Sequence, residues 1–201
     1  MCDVLLSTAL IKCYDINNKE HIVRALLDSG SSSCLKTEKL FNKLKLPFLK
    51  INKSIQGISN LLSPVNKMCR VQIESLRESY VDNIVCFILP TITDSIPARQ
   101  VHIDIPSNIQ LADPCFHTPA SIDIIIGADL FWTLLGSDRI VLDDRKPTLY
   151  QTKLGWLVNG GYNMLSCYFP PIQCNYTNFQ NSLSSSSNSS SSSCHLTHEI
   201  R

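Results

Sequence analysis

Short apolar runs separated by polar turns follow one another along the chain, and this pattern predicts strands more often than helices. Residues 4–14 and 21–27 are two such runs, and the polar segment 15–20 between them, with two adjacent asparagines, predicts a hairpin turn. Further strands are expected at 65–76, 80–89, 139–142, 148–152 and 154–161. We therefore expect a domain built mainly from strands.

Two segments have a helical pattern. Within 35–46 the apolar residues at 40, 41 and 44 predict a short amphipathic helix, which Pro47 would end. The second segment, 122–135, begins as a β-branched run that reaches a glycine at 127 and continues with a pattern that could open a helix. One or two short helices are therefore expected.

Prolines and serines mark two further regions. Prolines at 90, 97, 106, 114 and 119 interrupt any long regular element, so 90–119 is predicted to be a long surface connection of extended pieces and turns. The run 182–193 is serine at every position except two, and such a segment cannot bury enough apolar surface to fold. We expect one domain over residues 1–163 and a disordered, Ser-rich tail over 164–201.

Candidate chemistry is found where the second strand-like run ends. An apolar run leads directly into Asp28, Ser29 and Gly30, so a carboxylate lies at the end of a buried strand, where it must be hydrogen-bonded, paired or protonated. Gly30 would permit a positive φ and a close backbone approach, and the Ser29 hydroxyl could bond within the turn or to a neighbouring chain. An ordinary strand-to-turn junction would have the same residue types, so the tripeptide alone is a weak signal.

Composition and charge exclude some classes of function. Hydrophobic residues make up 44% of the chain and charged residues 17%, which is enough apolar content for a core. The net charge of +1 gives no footprint for nucleic acid or for an anionic membrane. The apolar run 4–11 is too short to span a bilayer and is preceded by an acidic residue, so it is predicted to be a strand in a soluble cytoplasmic protein.

Nine cysteines are spread through the sequence, and no two have Cys-x-x-Cys spacing. They are interpreted as small core residues and free thiols in a reducing compartment. A metal site would depend on Cys194, His195 and His198, which are too few ligands, so neither metal nor cofactor is expected.

Four motifs in order along residues 22–161 resemble the aspartic peptidase domain of Pao/BEL retrotransposon polyproteins, a retropepsin-like group. The first motif is Ala-Leu-Leu-Asp-Ser-Gly-Ser at 25–31, and the second is Leu-Ala-Asp-Pro with a following Phe at 111–116. The third is Ile-Asp-x-x-Ile-Gly-Ala-Asp-x-x-Trp at 122–132, and the fourth places Thr, Gly, Trp and Gly at 152, 155, 156 and 160. Viral retropepsins carry an acid two places after the loop glycine and an arginine after the second glycine, where this chain has Ser32 and Ala128.

The resemblance implies an all-β, closed acid-protease barrel with one half-site per chain, which works as a homodimer. Asp28 from each chain would form the catalytic dyad, with Ser29 and Gly30 supporting the loop. Ile126 and Gly127 would pack beneath the loop. Gln56, Gly57 and Ile58 would form the tip of a substrate-covering flap, although the same residues could form a plain hairpin.

The main functional hypothesis is an aspartic endopeptidase that hydrolyses peptide bonds in an extended polypeptide, with its own polyprotein as one candidate substrate. The single Asp-Ser-Gly in the chain supports a homodimer, because this chemistry needs two carboxylates. The alternative is a catalytically silent, domesticated copy that acts as a dimeric protein- or peptide-binding module. Trp156 and the strands at 4–11 and 154–158 are candidates for holding the dimer together.

Overall fold

The computed structural model of the chain describes residues 3–57, 62–143 and 146–162. Strands dominate these residues, and two short helices accompany them, as the sequence pattern predicts. The strands are β1 (Asp3–Leu5), β2 (Thr8–Tyr14), β3 (Glu20–Leu27), β4 (Cys34–Thr37), β5 (Phe48–Gln56), β6 (Leu62–Ser75), β7 (Val81–Leu89), β8 (Ile124–Ile126), β9 (Leu135–Val141), β10 (Thr148–Thr152) and β11 (Gly155–Tyr162). The helices are α1 (Glu38–Leu44) and α2 (Ala128–Leu134).

Six strands close into a barrel in the order β2-β3-β8-β4-β7-β6, and β6 pairs back with β2. Alternate residues of each strand face inward, as Ala9, Ile11 and Cys13 of β2 show by being fully buried. The β3–β8 and β4–β7 pairs are parallel, and the other pairs in the barrel are antiparallel. A closed barrel leaves few free strand edges, and β5 extends it as a hairpin with β6.

A second layer consists of the four-stranded sheet β1-β11-β10-β9 and the long connection between β7 and β8. The connection contains no strand or helix, as its prolines predict. It is not merely a surface segment, however, because Val101 and Phe116 are buried with Leu149 and Val158 in a second apolar cluster. Trp156, a sequence candidate for the dimer contact, packs against this same cluster.

Two predicted elements have different boundaries in the structure. The run 4–14 is divided between two sheets, because β1 pairs with β11 whereas β2 pairs with β3. The predicted helix 35–46 begins only at Glu38, after Cys34–Thr37 has formed a strand between β7 and β8. The Thr37 side chain caps the helix by accepting a hydrogen bond from the Leu40 amide, and its apolar positions are buried as predicted.

Several predictions concern residues that the structure describes only in part. No helix in the described ranges is long and apolar enough to cross a membrane. The predicted tail at 164–201, including Cys194 and the two histidines near it, lies outside the described residues. Of the described cysteines, four are buried free thiols, as interpreted from the sequence, and Cys115 is an exposed free thiol.

Candidate active site

Asp28 lies at the carboxyl end of β3, in the middle of the barrel wall. Leu26 and Leu27, which precede it, are buried on opposite sides of that wall. Parallel pairing holds 25–27 opposite 124–126, and the Asp28 amide continues the ladder by donating to the Ile126 carbonyl at 2.9 Å. The backbone on both sides of Asp28 is therefore fixed by the barrel.

The loop after Asp28 turns back on the carboxylate itself. The Gly30 amide donates to Asp28 Oδ1 at 2.9 Å, and the Ser31 amide donates to the Asp28 carbonyl at 3.2 Å. A Cβ at Gly30 would lie 3.2 Å from that same carboxylate oxygen. Gly30 does not adopt the positive φ that the sequence suggested. A glycine suits this position because the backbone lies close to the Asp28 carboxylate.

Gly127 packs directly against the Asp28 loop. A Cβ at this position would lie 2.7 Å from the Ser33 carbonyl and 2.8 Å from the Ser31 oxygen. The next amide, that of Ala128, donates to the Ser31 carbonyl at 2.8 Å. The structure thus brings Ile126 and Gly127 together with the loop over a distance of a hundred residues in sequence.

An open cleft of about 330 Å³ lies beside Asp28. Asp28 is half-buried in it and Ser29 is exposed. The residues that line the cleft are Leu6, Ser7, Leu27, Asp28, Ser29, Phe131, Trp132, Leu135, Tyr150, Leu157 and Asn159. Among the described residues, Asp28 provides the one carboxylate in this lining, and most of the other side chains are apolar.

The polar end of the cleft is tied to the barrel. The Asn159 amide group donates to the Ser7 hydroxyl at 2.8 Å, and the Ser7 carbonyl accepts from the Leu27 amide at 2.9 Å. These bonds join the second layer to β3 one residue before Asp28. The cleft wall next to the carboxylate is consequently held by two layers of the fold.

The hairpin predicted around Gly57 is present, and it is formed by β5 and β6 with Gln56 opposite Leu62. Gln56 and Gly57 are exposed, whereas Ile58 lies outside the described residues. Neither Gln56 nor Gly57 lines the Asp28 cleft. The described part of the hairpin therefore does not reach the carboxylate within one chain.

Sequence reasoning missed a buried ion pair just upstream of the site. Arg24 on β3 and Asp113 in the long connection have side chains that are 6% and 0% exposed, and Nε of Arg24 donates to Asp113 Oδ2. The remaining Arg24 donors reach the carbonyls of Ile96, Thr118 and Cys115 at 2.7 to 3.1 Å. A charged residue inside the apolar run 22–27 was the available signal, because such a charge must find a partner.

Both carboxylate oxygens of Asp113 accept hydrogen bonds in this network. Besides Arg24, its carboxylate accepts from the Thr8 hydroxyl at 2.7 Å and from the Cys115 amide at 2.9 Å. The network fastens the long connection to β2 and β3, four residues before Asp28. The role of this network is to hold the long connection in place, since it offers no accessible group to a ligand.

No protein-family model matches the chain, and no curated protein is similar to it at a significant level. Among the described residues, no group of three or more His, Cys, Asp or Glu side chains could hold a metal ion. The site therefore has to be interpreted from its own chemistry. One accessible carboxylate on a rigid loop, at the edge of an apolar cleft, can accept a proton, and it can share one with a second carboxylate brought beside it.

Proposed function

We propose that the chain is an aspartic endopeptidase of retrotransposon origin, similar to the Pao/BEL retropepsin-like group, which hydrolyses peptide bonds as a homodimer. The observation that carries the proposal is the half-buried Asp28 carboxylate, held by the Gly30 amide on a loop that packs against Gly127 and opens onto a cleft. A closed β-barrel provides the rigid support that such a loop requires.

Two Asp28 carboxyls, one from each chain, would perform the chemistry. Two such groups about 3 Å apart cannot both ionise, so they share one proton and titrate as a pair. The ionised carboxylate takes a proton from a water, which attacks the peptide carbonyl carbon, while the protonated carboxyl donates a hydrogen bond to the carbonyl oxygen. Transfer of a proton to the leaving nitrogen then allows the C–N bond to break.

The proposed chemistry needs two carboxylates, and this supports a second chain. Among the described residues Asp28 is the one carboxylate that lines the cleft, and a twofold axis beside it would supply the other. Large apolar side chains are exposed on the same side, including Trp132 at 64% and Leu6 at 46% exposure. Exposed apolar patches of this kind mark interaction surfaces, and a second copy would cover this one.

The substrate would be an extended polypeptide, with the chain's own polyprotein as a possible example. The β5–β6 hairpin is a candidate flap, because in a dimer the hairpin of one chain can approach the shared site even though it does not line the cleft of its own chain. We place the activity in the cytoplasm, since the buried cysteines are free thiols.

The test is cleavage of a mixed peptide library by the full chain, from about pH 4 to 7, where a carboxyl dyad should work. Asp28→Asn is run beside the wild type, and Asp138→Asn serves as a matched control because Asp138 is exposed on β9, away from the cleft. The proposal expects cleavage by the wild type and the control but not by Asp28→Asn. A folded, dimeric wild type that cleaves nothing would contradict it and would favour the peptide-binding module.

Subunit mixing tests the shared site separately. If each active site needs Asp28 from two chains, random exchange with an equal amount of Asp28→Asn chain should reduce wild-type activity to about half. Unchanged activity after complete exchange would show that one chain is sufficient, and the homodimeric dyad would then be wrong.

A further inference from the structure

Three cysteines form a row across adjacent strands inside the barrel. Cys34 on β4 is the register partner of Cys86 on β7, and Cys86 is in turn the partner of Cys69 on β6. All three are buried in the main core cluster, at 1%, 0% and 4% exposure respectively. Cys86 therefore has a potential disulfide partner on either side.

The two outer cysteines have opposite electrostatic surroundings. Lys36 Nζ donates to Cys69 Sγ at 2.8 Å, whereas Cys34 Sγ donates to the Asp129 carboxylate at 3.4 Å. Lys36 is itself fully buried, and its ammonium lies 5.4 Å from the centre of the Phe41 ring. A neighbouring ammonium stabilises the negative charge of a thiolate, and a neighbouring carboxylate opposes it.

Burial disfavours the thiolate form of Cys34 and Cys86. Burial, followed by the charge of Asp129, raises the pKa of Cys34 to about 12. Burial also raises the pKa of Cys86 well above its usual range. Because the thiolate is the species that peroxide oxidises, Cys34 and Cys86 are poor first targets near neutral pH.

The backbone geometry suits a bond between Cys69 and Cys86. They are directly opposite in an antiparallel pair, in which Cα atoms lie roughly 4.5–5.5 Å apart. A disulfide needs Cα atoms at about 4.4–6.8 Å, so β6 and β7 can stay paired when it forms. Cys69 is also one of the residues around an open groove of about 300 Å³, together with Phe48, Leu49 and Val85.

We propose that Cys69 and Cys86 form a peroxide-sensitive pair, in which Cys69 is the thiol attacked first and Cys86 is the resolving thiol. The Cys69 thiolate attacks hydrogen peroxide to give a sulfenic acid and hydroxide, and the O–O bond breaks. The Cys86 thiol then forms the S–S bond and releases water. Overall two thiols and one peroxide give one disulfide and two waters.

Oxidation would act on the strand that forms the hairpin. The disulfide joins β6 to β7 at Cys69, which is paired on its other side with Phe48 at the start of β5. The base of the β5–β6 hairpin would then be covalently fixed to the barrel.

The experiment uses the full chain with Cys2, Cys115, Cys167, Cys174 and Cys194 replaced by Ser, so that the buried thiols are the ones that react. After exposure to hydrogen peroxide, trypsin digestion without reductant should give peptide 68–70 linked to 78–99, lighter by two hydrogen atoms than the two free peptides together. Lys36→Met should slow the formation of this link roughly tenfold, because it removes the cation beside Cys69.

Other cross-links would overturn the proposal. A link between 25–36 and 78–99 would make Cys34 the partner, and no link after the same exposure would show that the pair is not reactive in the folded chain. Cys86→Ser provides a second check. A dimedone adduct should then accumulate on Cys69, and an adduct on Cys34 instead would reverse the order of attack.

Discussion

Asp113 and Asp28 both lie next to strand β3, but their surroundings are opposite. Asp113 has a fully buried side chain, and Arg24, Thr8 and the Cys115 amide use its oxygens. Asp28, directly after the end of β3, is half-buried, receives one amide hydrogen bond from Gly30 and faces an open cleft. The first carboxylate is committed to the fold, and the second can still react with a ligand.

This difference indicates how a carboxylate that can react with a ligand is distinguished from one that only stabilises the fold. The sequence marks Asp28 as a candidate through the Ser29 and Gly30 that follow it, but it does not show that Asp113 is buried in an ion pair. Accessibility and remaining hydrogen-bonding capacity do separate them, because a carboxylate saturated by protein donors cannot also handle a substrate proton.

The largest effect is expected for Asp28→Asn. Asparagine keeps the Oδ1 acceptor for the Gly30 amide but cannot share a proton, so peptidase activity should fall at least about a thousandfold. The free energy of unfolding should change by less than about 0.5 kcal/mol, as for other substitutions outside a buried network. Cleavage rates and urea unfolding of the same preparations measure both quantities. If this variant failed to fold, Asp28 would be needed for the fold as Asp113 is, and the two carboxylates would not differ in this way.

The next effect is on stability. Arg24→Met leaves the Asp113 carboxylate buried without its counter-charge, and this should lower the free energy of unfolding by about 3–5 kcal/mol. The double variant Arg24→Met with Asp113→Leu should lose less, because no isolated charge remains in the interior. It should not recover fully, since the Ile96 and Cys115 carbonyls also lose a donor. Urea midpoints for the single and double variants test this, and equal losses in both would contradict it.

The local hydrophobic pattern predicted the features of the site that depend only on residues close in sequence. The apolar runs 21–27 and 122–126 placed Asp28 and Gly127 at strand ends, and both lie there. The Arg24–Asp113 pair joins positions 89 residues apart, and no local period encodes such a partner. The pattern likewise predicts that Lys36 belongs to an amphipathic helix, although it is a strand residue that faces the barrel interior. The division of 4–14 between two sheets is also set by distant partners, β11 and β3.

A smaller loss is expected for Gly127→Ala. The added methyl group would meet the Ser33 and Ser31 backbone at less than 3 Å, and backbone cannot move away as a flexible side chain can. We expect a cost of about 1–3 kcal/mol in unfolding free energy, together with reduced peptidase activity, because the loop that carries Asp28 must shift. Gly136→Ala is the matched control, since its nearest contact is 3.1 Å and Gly136 is exposed. A larger loss for Gly136→Ala would show that Gly127 does not support the loop.

The smallest effect is expected for Asp15, a third carboxylate. Its side chain is less buried than that of Asp113, but it accepts more hydrogen bonds than that of Asp28. Its pKa is held below the ordinary value of 3.8, first by the hydrogen bond from His21 and then by the Lys19 and Asn17 amides. A lowered folded-state pKa stabilises the fold at pH values above the unfolded-state pKa, and this stabilisation is lost as the pH falls through the folded-state pKa.

Asp15→Asn should therefore lower stability slightly at neutral pH and make the remaining stability less sensitive to acid below about pH 4. Thermal unfolding of the wild type and the variant between about pH 2 and 7 would measure the difference. Parallel pH profiles would mean that the charge of Asp15 in the turn at 15–20 does not stabilise the fold. In that case the contrast would reduce to Asp113 and Asp28, one carboxylate that the fold uses completely and one that it leaves open to the cleft.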